Sequence, residues 1–339
     1  MEQERLTQRL RVFLPLADEA IAPPTPNELN LPTPRIAPPT ALAPWCRSDD
    51  LARAGHTYGK SFRDVVRALE RRWERPPDVV VTPPDEDGVV AVLSWASEAN
   101  AVVIPYGGGS SVVGGVEAPD DERPVISCDL AALRRVLQVD RSSRAALIQA
   151  GALGPDLEAQ LRPHGLTLRH YPQSFEVSSL GGWIATRSGG HFATLHTRID
   201  DFVESVRAIT PAGPWETRRF PSSGAGPSPE RLLLGSEGIF GVITQAWMRL
   251  QERPQFQASA VVGYASFSEG VRAARALAQS GLWPSNCRLL DAAEALVSGA
   301  GDGTNHLLLI GFESADHPVK VALRKCAGSG SGNAVTTRA

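Results

Sequence analysis

Apolar residues recur along this chain in short bursts that alternate between two periods. Between Ser61 and Trp73, the residues Phe62, Val65, Val66 and Leu69 fall at helical spacing, and Arg75-Pro76-Pro77 ends the run because proline brings no N–H to a helix. Asp78 to Val81 is β-branched, Asp87 to Ala99 returns to helical periodicity through Val89, Val90, Val92, Leu93 and Ala96, and Val102 to Ile104 is β-branched again. The alternation predicts a βαβ unit. Further β-rich runs at Val125 to Cys128, Val136 to Val139 and Ala145 to Ala150, with a helix over Pro155 to Arg162, extend a mixed α+β domain to about Leu250. After Pro254 the pattern restarts as strand (Ala258 to Tyr264), helix (Phe267 to Ser280), strand (Cys287 to Leu290), helix (Ala292 to Val297) and strand (His306 to Phe312). This is the opening of a ferredoxin-like alternation, and it looks incomplete.

Two stretches lie outside these rhythms. Ile21 to Pro44 carries Pro23, Pro24, Pro26, Pro32, Pro34, Pro38, Pro39 and Pro44, so it predicts an extended arm wrapped on a surface. Ala327 to Ala339 is Gly/Ser/Thr-rich with little to bury and predicts a disordered tail. The expected partition is therefore an arm over 1–55, domains over 56–253 and 254–326, and a tail over 327–339. The 339 residues, 42% of them hydrophobic, suffice for two cores. A net charge of -3 gives no broad positive field for nucleic acid, although a discrete anion can still be held locally. Cys46, Cys128, Cys287 and Cys326 are far apart with no CxxC pair, so no metal site is expected and the thiols are read as reduced. Charges mixed into the N-terminus and the absence of a long apolar run predict a soluble, cytoplasmic protein.

Three glycine-rich clusters carry the candidate chemistry. Strand residues Val102 to Ile104 run into Pro105-Tyr106-Gly107-Gly108-Gly109-Ser110-Ser111 and then Gly114-Gly115. Consecutive glycines let several backbone N–H groups converge on one point, which suits a diphosphate. Neither G-x-x-x-x-G-K-[ST] nor G-x-G-x-x-G fits this loop, and a plain tight turn is the bland alternative. The second cluster runs from Pro172 through Gln173, Ser174, Glu176, Ser178, Ser179 and Gly182 to Thr186, Arg187 and Ser188. Its small and hydroxylated residues suit close approach to a flat ligand, while the paired glycines would also serve helix–strand packing. The third, Gly235 to Thr244, breaks a turn with Gly235, Gly238 and Gly241 before a β-branched strand, as a ligand loop or a bulged hairpin would.

In this order and spacing the clusters resemble the FAD-binding domain of the vanillyl-alcohol-oxidase (PCMH) type, and within it the alkyldihydroxyacetonephosphate synthases. The closer likeness is carried by His56 to Ser61, Pro105 to Ser111, Gln173 to Gly182, Thr186-Arg187-Ser188, Asp200-Asp201, Ile209 to Gly213 and Gly235 to Thr244. The resemblance implies an α+β fold, a two-subdomain FAD-binding domain followed by an incomplete ferredoxin-like cap. It also implies that Pro105 to Ser111 hold the FAD diphosphate. Gln173, Ser174, Glu176, Ser178, Ser179, Gly182, Thr186, Arg187 and Ser188 would run beside the flavin, and Glu237, Gly238, Gly241, Val242 and Ile243 would contact the adenosine half. The first loop contains no histidine for covalent attachment, so the FAD is expected to be dissociable. Gln173 stands where the synthase pattern has Asp.

Among the remaining candidates, Arg288 in Cys287-Arg288-Leu289-Leu290-Asp291 resembles a cap-strand arginine of the synthases, suited to a phosphate or carboxylate; the bland reading is a surface ion pair with Asp291. His191 and His196 are weighed as proton carriers near the flavin against solvated loop residues. His56 and Lys60 are read as structural, and Trp183 as core. The resemblance implies exchange of the acyl chain of acyl-dihydroxyacetone phosphate for a fatty alcohol, with no net redox change. A D-2-hydroxyacid dehydrogenase acting on lactate or glycolate is the alternative. Its partners would be a small phosphorylated or carboxylated substrate, peripheral contact with a membrane for a lipid substrate, and a second copy in a homodimer. The synthases carry a catalytic tyrosine and clustered histidines in a further segment that this chain ends before, so a C-terminally truncated protein that binds flavin without catalysis is a third expectation.

Overall fold

The computed structural model describes residues 2–17, 20–191, 198–220 and 223–320, and the backbone of 333–338. The chain divides into two compact units, one built on Ile21–Gly190 and Arg198–Gln251, the other on Glu252–Ala339 together with Met1–Ala20. Helix α1 (Glu2–Leu10) thus groups with the C-terminal unit and not with the proline arm, to which the sequence pattern joined it.

In the first unit, strand β1 (Cys46–Arg47) and helices α2 (Asp50–Gly55) and α3 (Phe62–Leu69) precede strand β2 (Val79–Val81), helix α4 (Glu86–Glu98) and strands β3 (Val102–Tyr106) and β4 (Val125–Asp129). Asp85 starts α4 by accepting the Gly88 N–H at 2.8 Å, and Val89, Val92, Trp95 and Ala96 form its buried face. The sheet order is β1-β2-β4-β3, with β2 and β3 each parallel to β4. The expected βαβ unit is present, yet β4 lies between its two strands. Periodicity reports the elements and is silent on their lateral order.

The second layer contains β5 (Val136–Asp140), β6 (Ala145–Gln149), α5 (Gly154–Leu161), β7 (Leu166–Thr167), α6 (Leu180–Thr186), β8 (Val203–Thr210), β9 (Gly213–Glu216), α7 (Glu230–Leu233), β10 (Val242–Arg249) and β11 (Gln251–Glu252). Its main sheet is antiparallel in the order β5-β6-β10-β8-β9. One apolar core runs through both layers, from Val79, Ile126 and Cys128 to Ile148, Leu157, Trp183, Phe202 and Met248. The proline arm lies on this unit: Arg53, itself buried, donates to the Pro32 carbonyl at 2.7 Å and to the Pro77 carbonyl at 2.8 Å.

The C-terminal unit follows the expected alternation through β12 (Phe256–Tyr264), α8 (Phe267–Ala278), β13 (Asn286–Leu290), α9 (Ala292–Ser298) and β14 (His306–Ser314). Ala258, Ala260, Val262 and Tyr264 are the buried alternate positions of β12. The tail departs from expectation. Asn333–Arg338 forms strand β15, antiparallel to β12 in a sheet of order β13-β14-β12-β15, where the sequence reading had disorder. The run Val335-Thr336-Thr337 is β-branched, and an open sheet edge supplies the hydrogen bonds that Gly/Ser-rich composition gives no hint of. Residues 327–332 lie outside the described ones. Among the described residues no helix is long and apolar enough to cross a membrane.

Asp78 ties arm and sheet together. Burial raises the pKa of its carboxyl, but hydrogen bonds from the Arg35 guanidinium, the Arg35 N–H and the Val125 N–H outweigh this and hold it below the usual carboxylate range. Asp78→Ala strips a partner from two backbone donors and a guanidinium. We expect it to lower the unfolding free energy by about 3 kcal/mol, measured by urea denaturation.

Candidate functional site: a glycine-walled FAD cavity

The site begins where β3 runs out. Tyr106 ends that strand with its ring against His56 at 4.2 Å between centroids, and its phenol donates to the Gly55 carbonyl at 3.1 Å. Burial pushes this phenol up to about 12, so it remains a donor. Gly109 turns over that phenol with φ +63, and a side chain there would overlap the Tyr106 hydroxyl. Gly107 and Gly108 pack against the second segment so tightly that a Cβ on the first would overlap Ser179 Oγ, and on the second the Val177 carbonyl oxygen.

The second segment contains helix α6, and its paired glycines serve both of the roles weighed from the sequence, packing the helix on a strand and opening a wall to a ligand. Ser179 caps α6 by accepting the Gly182 N–H at 3.3 Å, and the Gly181 N–H donates to the Ala150 carbonyl at 2.7 Å, which brings the helix onto the end of β6. Trp183 Nε1 donates to Ser178 Oγ at 2.6 Å. The third segment hangs from the same helix, with the Gly235 N–H on the Ile184 carbonyl at 3.1 Å and the Glu237 N–H on the Ala185 carbonyl at 3.0 Å. Gly238 passes beside the Pro105 ring.

The three segments enclose a cavity of about 350 Å³. Of the predicted residues, Pro105 to Ser111, Ser174, Ser178, Ser179, Gly182, Thr186, Ser188, Glu237, Gly238, Gly241 and Ile243 line it. Others do not. Gln173 and Glu176 are exposed, Val242 is buried in β10 opposite Ile209, and the Arg187 guanidinium pairs with Asp200 at 2.7 Å. Arg187 therefore holds a loop, because its left-handed φ of 51° at the end of α6 sends the side chain past Gly235. Arg288 is an exposed residue of β13, His191 is half-buried and outside the lining, and His196 falls outside the described residues.

Sequence reasoning missed part of the wall. Val112, Val113 and Val116 extend the first loop and Ala185 the helix, and nothing local marked Leu130, which enters from the end of β4. Trp183 is both core, as read, and lining. The largest omission is His170. It is buried between the rings of Trp183 (5.2 Å) and Phe202 (6.0 Å), with Nε2 at 3.2 Å from the hydroxyl of the lining residue Ser188 and Nδ1 without a partner. Burial pushes it down to about 4, so the ring is neutral at ordinary pH. A single histidine among Arg169, Tyr171 and Pro172 gives no signal of its own.

The described lining includes no lysine or arginine, so a diphosphate here would be held by backbone N–H groups. The cradle that a Cβ would fill fits such a group. Residues 77–217 match the FAD binding domain family and residues 253–338 the FAD linked oxidases, C-terminal domain family. The chain is 39% identical over 254 residues to alkyldihydroxyacetonephosphate synthase of Dictyostelium discoideum, covering 75% of this chain and 42% of that protein. A solved structure of alkyldihydroxyacetonephosphate synthase superposes with a TM-score of 0.89 at 31% identity, covering 99% of this chain and 68% of that one. The chain belongs to the alkyldihydroxyacetonephosphate synthase family. It carries that family's FAD-binding domain, and it spans less than half the length of the curated synthase above. The mitochondrial D-lactate dehydrogenase [cytochrome] of Arabidopsis thaliana is 31% identical over 68% of this chain and 40% of that protein.

Two outcomes follow from this geometry. Gly108→Ala drives a methyl into the Val177 carbonyl and displaces the loop, so the FAD dissociation constant should rise by at least about tenfold in titrations of apoprotein. For His170, the folded-state pKa lies below the ordinary 6.5, so between pH 6.5 and 4 the unfolded chain takes up a proton that the folded one refuses. Stability is full above this window and falls as pH drops through it, by up to about 1.4 kcal/mol per pH unit from this group. His170→Gln should flatten that slope in denaturant titrations across the window.

Proposed function

We propose that this chain uses its FAD site for the synthase reaction, exchanging the acyl chain of acyl-dihydroxyacetone phosphate for a long-chain alcohol without net oxidation. The observation that carries the proposal is the superposition on a synthase at a TM-score of 0.89 over 99% of this chain. FAD, when bound, supplies the reactive centre that amino-acid side chains lack. The backbone N–H groups of Gly107 to Ser111 are assigned to its diphosphate, the hydroxyls of Ser178, Ser179 and Thr186 to its flavin side, and Glu237 to Gly241 to its adenosine half. Leu130 and Trp183 keep water from the wall they form. The His170 ring, neutral at ordinary pH, lies 3.2 Å from the Ser188 hydroxyl and fixes its position on the wall. Arg288 is assigned to the substrate phosphate on the resemblance of its strand. Cytoplasmic residence, a homodimer and peripheral contact with a lipid surface belong to the same proposal.

A D-2-hydroxyacid dehydrogenase is the second reading, favoured by the likeness to the D-lactate dehydrogenase. One assay separates the two. The full chain is incubated with acyl-dihydroxyacetone phosphate and hexadecanol, and alkyl product is expected. Dye reduction dependent on D-lactate in its place would favour the dehydrogenase, and FAD retention with neither activity would restrict the function to flavin binding. The described lining holds no histidine or cysteine, so acid precipitation is expected to leave intact FAD in the supernatant. Flavin carried down with the pellet would refute dissociable binding.

A further inference from the structure

The far half of the first glycine loop, Ser111 to Glu117, lines the cavity through Ser111, Val112, Val113, Gly115 and Val116. Val112 and Val113 are 64% and 74% exposed, so apolar packing does little to hold their course. Two attachments from the preceding segment grip the loop from behind. At one end the Lys60 N–H donates to the Ser111 carbonyl at 2.7 Å, an approach open only because Gly59 has no Cβ. At the other end the Arg67 guanidinium seizes Glu117, with Nη2 to Oε1 at 2.7 Å and Nη1 to Oε2 at 3.2 Å.

Arg67 is built into its place. Its side chain is 4% exposed, Nη2 also donates to Asp64 Oδ1 at 2.6 Å, and the guanidinium lies over the Tyr58 ring at 3.9 Å. Asp64 is in turn fixed by the Ser61 N–H at 3.0 Å. Glu117 closes a turn onto the Gly114 carbonyl at 3.0 Å, and that turn carries Gly115 and Val116 into the wall. A two-pronged grip on a turn sets its orientation as well as its distance, which one hydrogen bond does not.

We propose that Arg67 is a positioning residue for the flavin site: through Glu117 it holds Gly115 and Val116 in their ligand-binding course without lining the cavity itself. The proposal rests on the FAD-binding reading of this cavity and not on the reaction, so a chain that binds FAD and turns nothing over leaves it fully testable. Its physical content is pre-organisation. A loop already held in shape does not lose that freedom again when the cofactor docks.

The test is an FAD titration of the full-length apoprotein, read by flavin fluorescence and by the structured visible spectrum of the bound form. The apoprotein unfolding midpoint is measured alongside. Glu117→Ala and Arg67→Met are each expected to weaken FAD binding by about tenfold or more, and the double variant by no more than the larger single change, because both cut one link. Arg67→Lys, which keeps the charge and loses the fork, should fall between parent and Arg67→Met. Glu117 is 27% exposed, so Glu117→Ala keeps the test decisive if Arg67→Met does not fold. FAD affinity within about twofold of parent in folded Glu117→Ala would overturn the proposal, as would additive effects in the double variant. A lowered unfolding midpoint with unchanged affinity of the folded fraction would also overturn it, since that is what a purely structural ion pair produces.

Discussion

The site depends on two stretches of backbone coming closer than side chains allow. Gly107 and Gly108 lie against Val177 to Ser179, and Gly181 lies against Ala150, with no room for a Cβ at any of the three. That contact sets the floor of the cavity, because β3 delivers the loop from one sheet while α6 rests on the other. The single apolar core through both layers fixes how far apart those deliveries are. The cavity is therefore a seam between two sheets, and its width is a packing distance.

The same arrangement explains why the described wall carries Glu237 yet no cation. Amide dipoles aimed from a rigid turn serve an anion without bringing a mobile side chain that must be ordered on binding. Charged groups are used one layer out. Arg187 with Asp200 and Arg67 with Glu117 sit behind segments of the wall. Their work is mechanical: a two-pronged contact at Arg67 and a single one at Arg187 fix the course of the loops they hold.

Periodicity and glycine spacing made most of this legible. The helices α3, α4, α5, α8 and α9 and the strands β12, β13 and β14 stand within a few residues of their sequence boundaries, because each buries a face with a clear period. The three glycine clusters pointed to the cavity because glycine has few reasons to be consecutive. What escaped has a common cause: it depends on lateral neighbours. The place of β4 between β2 and β3, the entry of Leu130, the burial of His170 beside Ser188 and the turn of Arg187 away from the cavity are each decided by a partner distant in sequence. Helix α6 was not assigned from the sequence, where its paired glycines suited either a ligand or helix–strand packing; Leu180, Trp183 and Ile184 are all buried in it.

Strand β15 has a consequence of a different kind. It pairs Ser259 with Arg338 and Gly263 with Asn333, so two neighbouring strands of one sheet come from opposite ends of the Glu252–Ala339 stretch. Closing so long a loop costs entropy before any hydrogen bond is gained, and of the pairings in its sheet this one spans the most chain. During synthesis β12 emerges well before its partner. Until β15 arrives, β12 presents a row of unpaired amides and carbonyls, the surface on which another nascent chain would template.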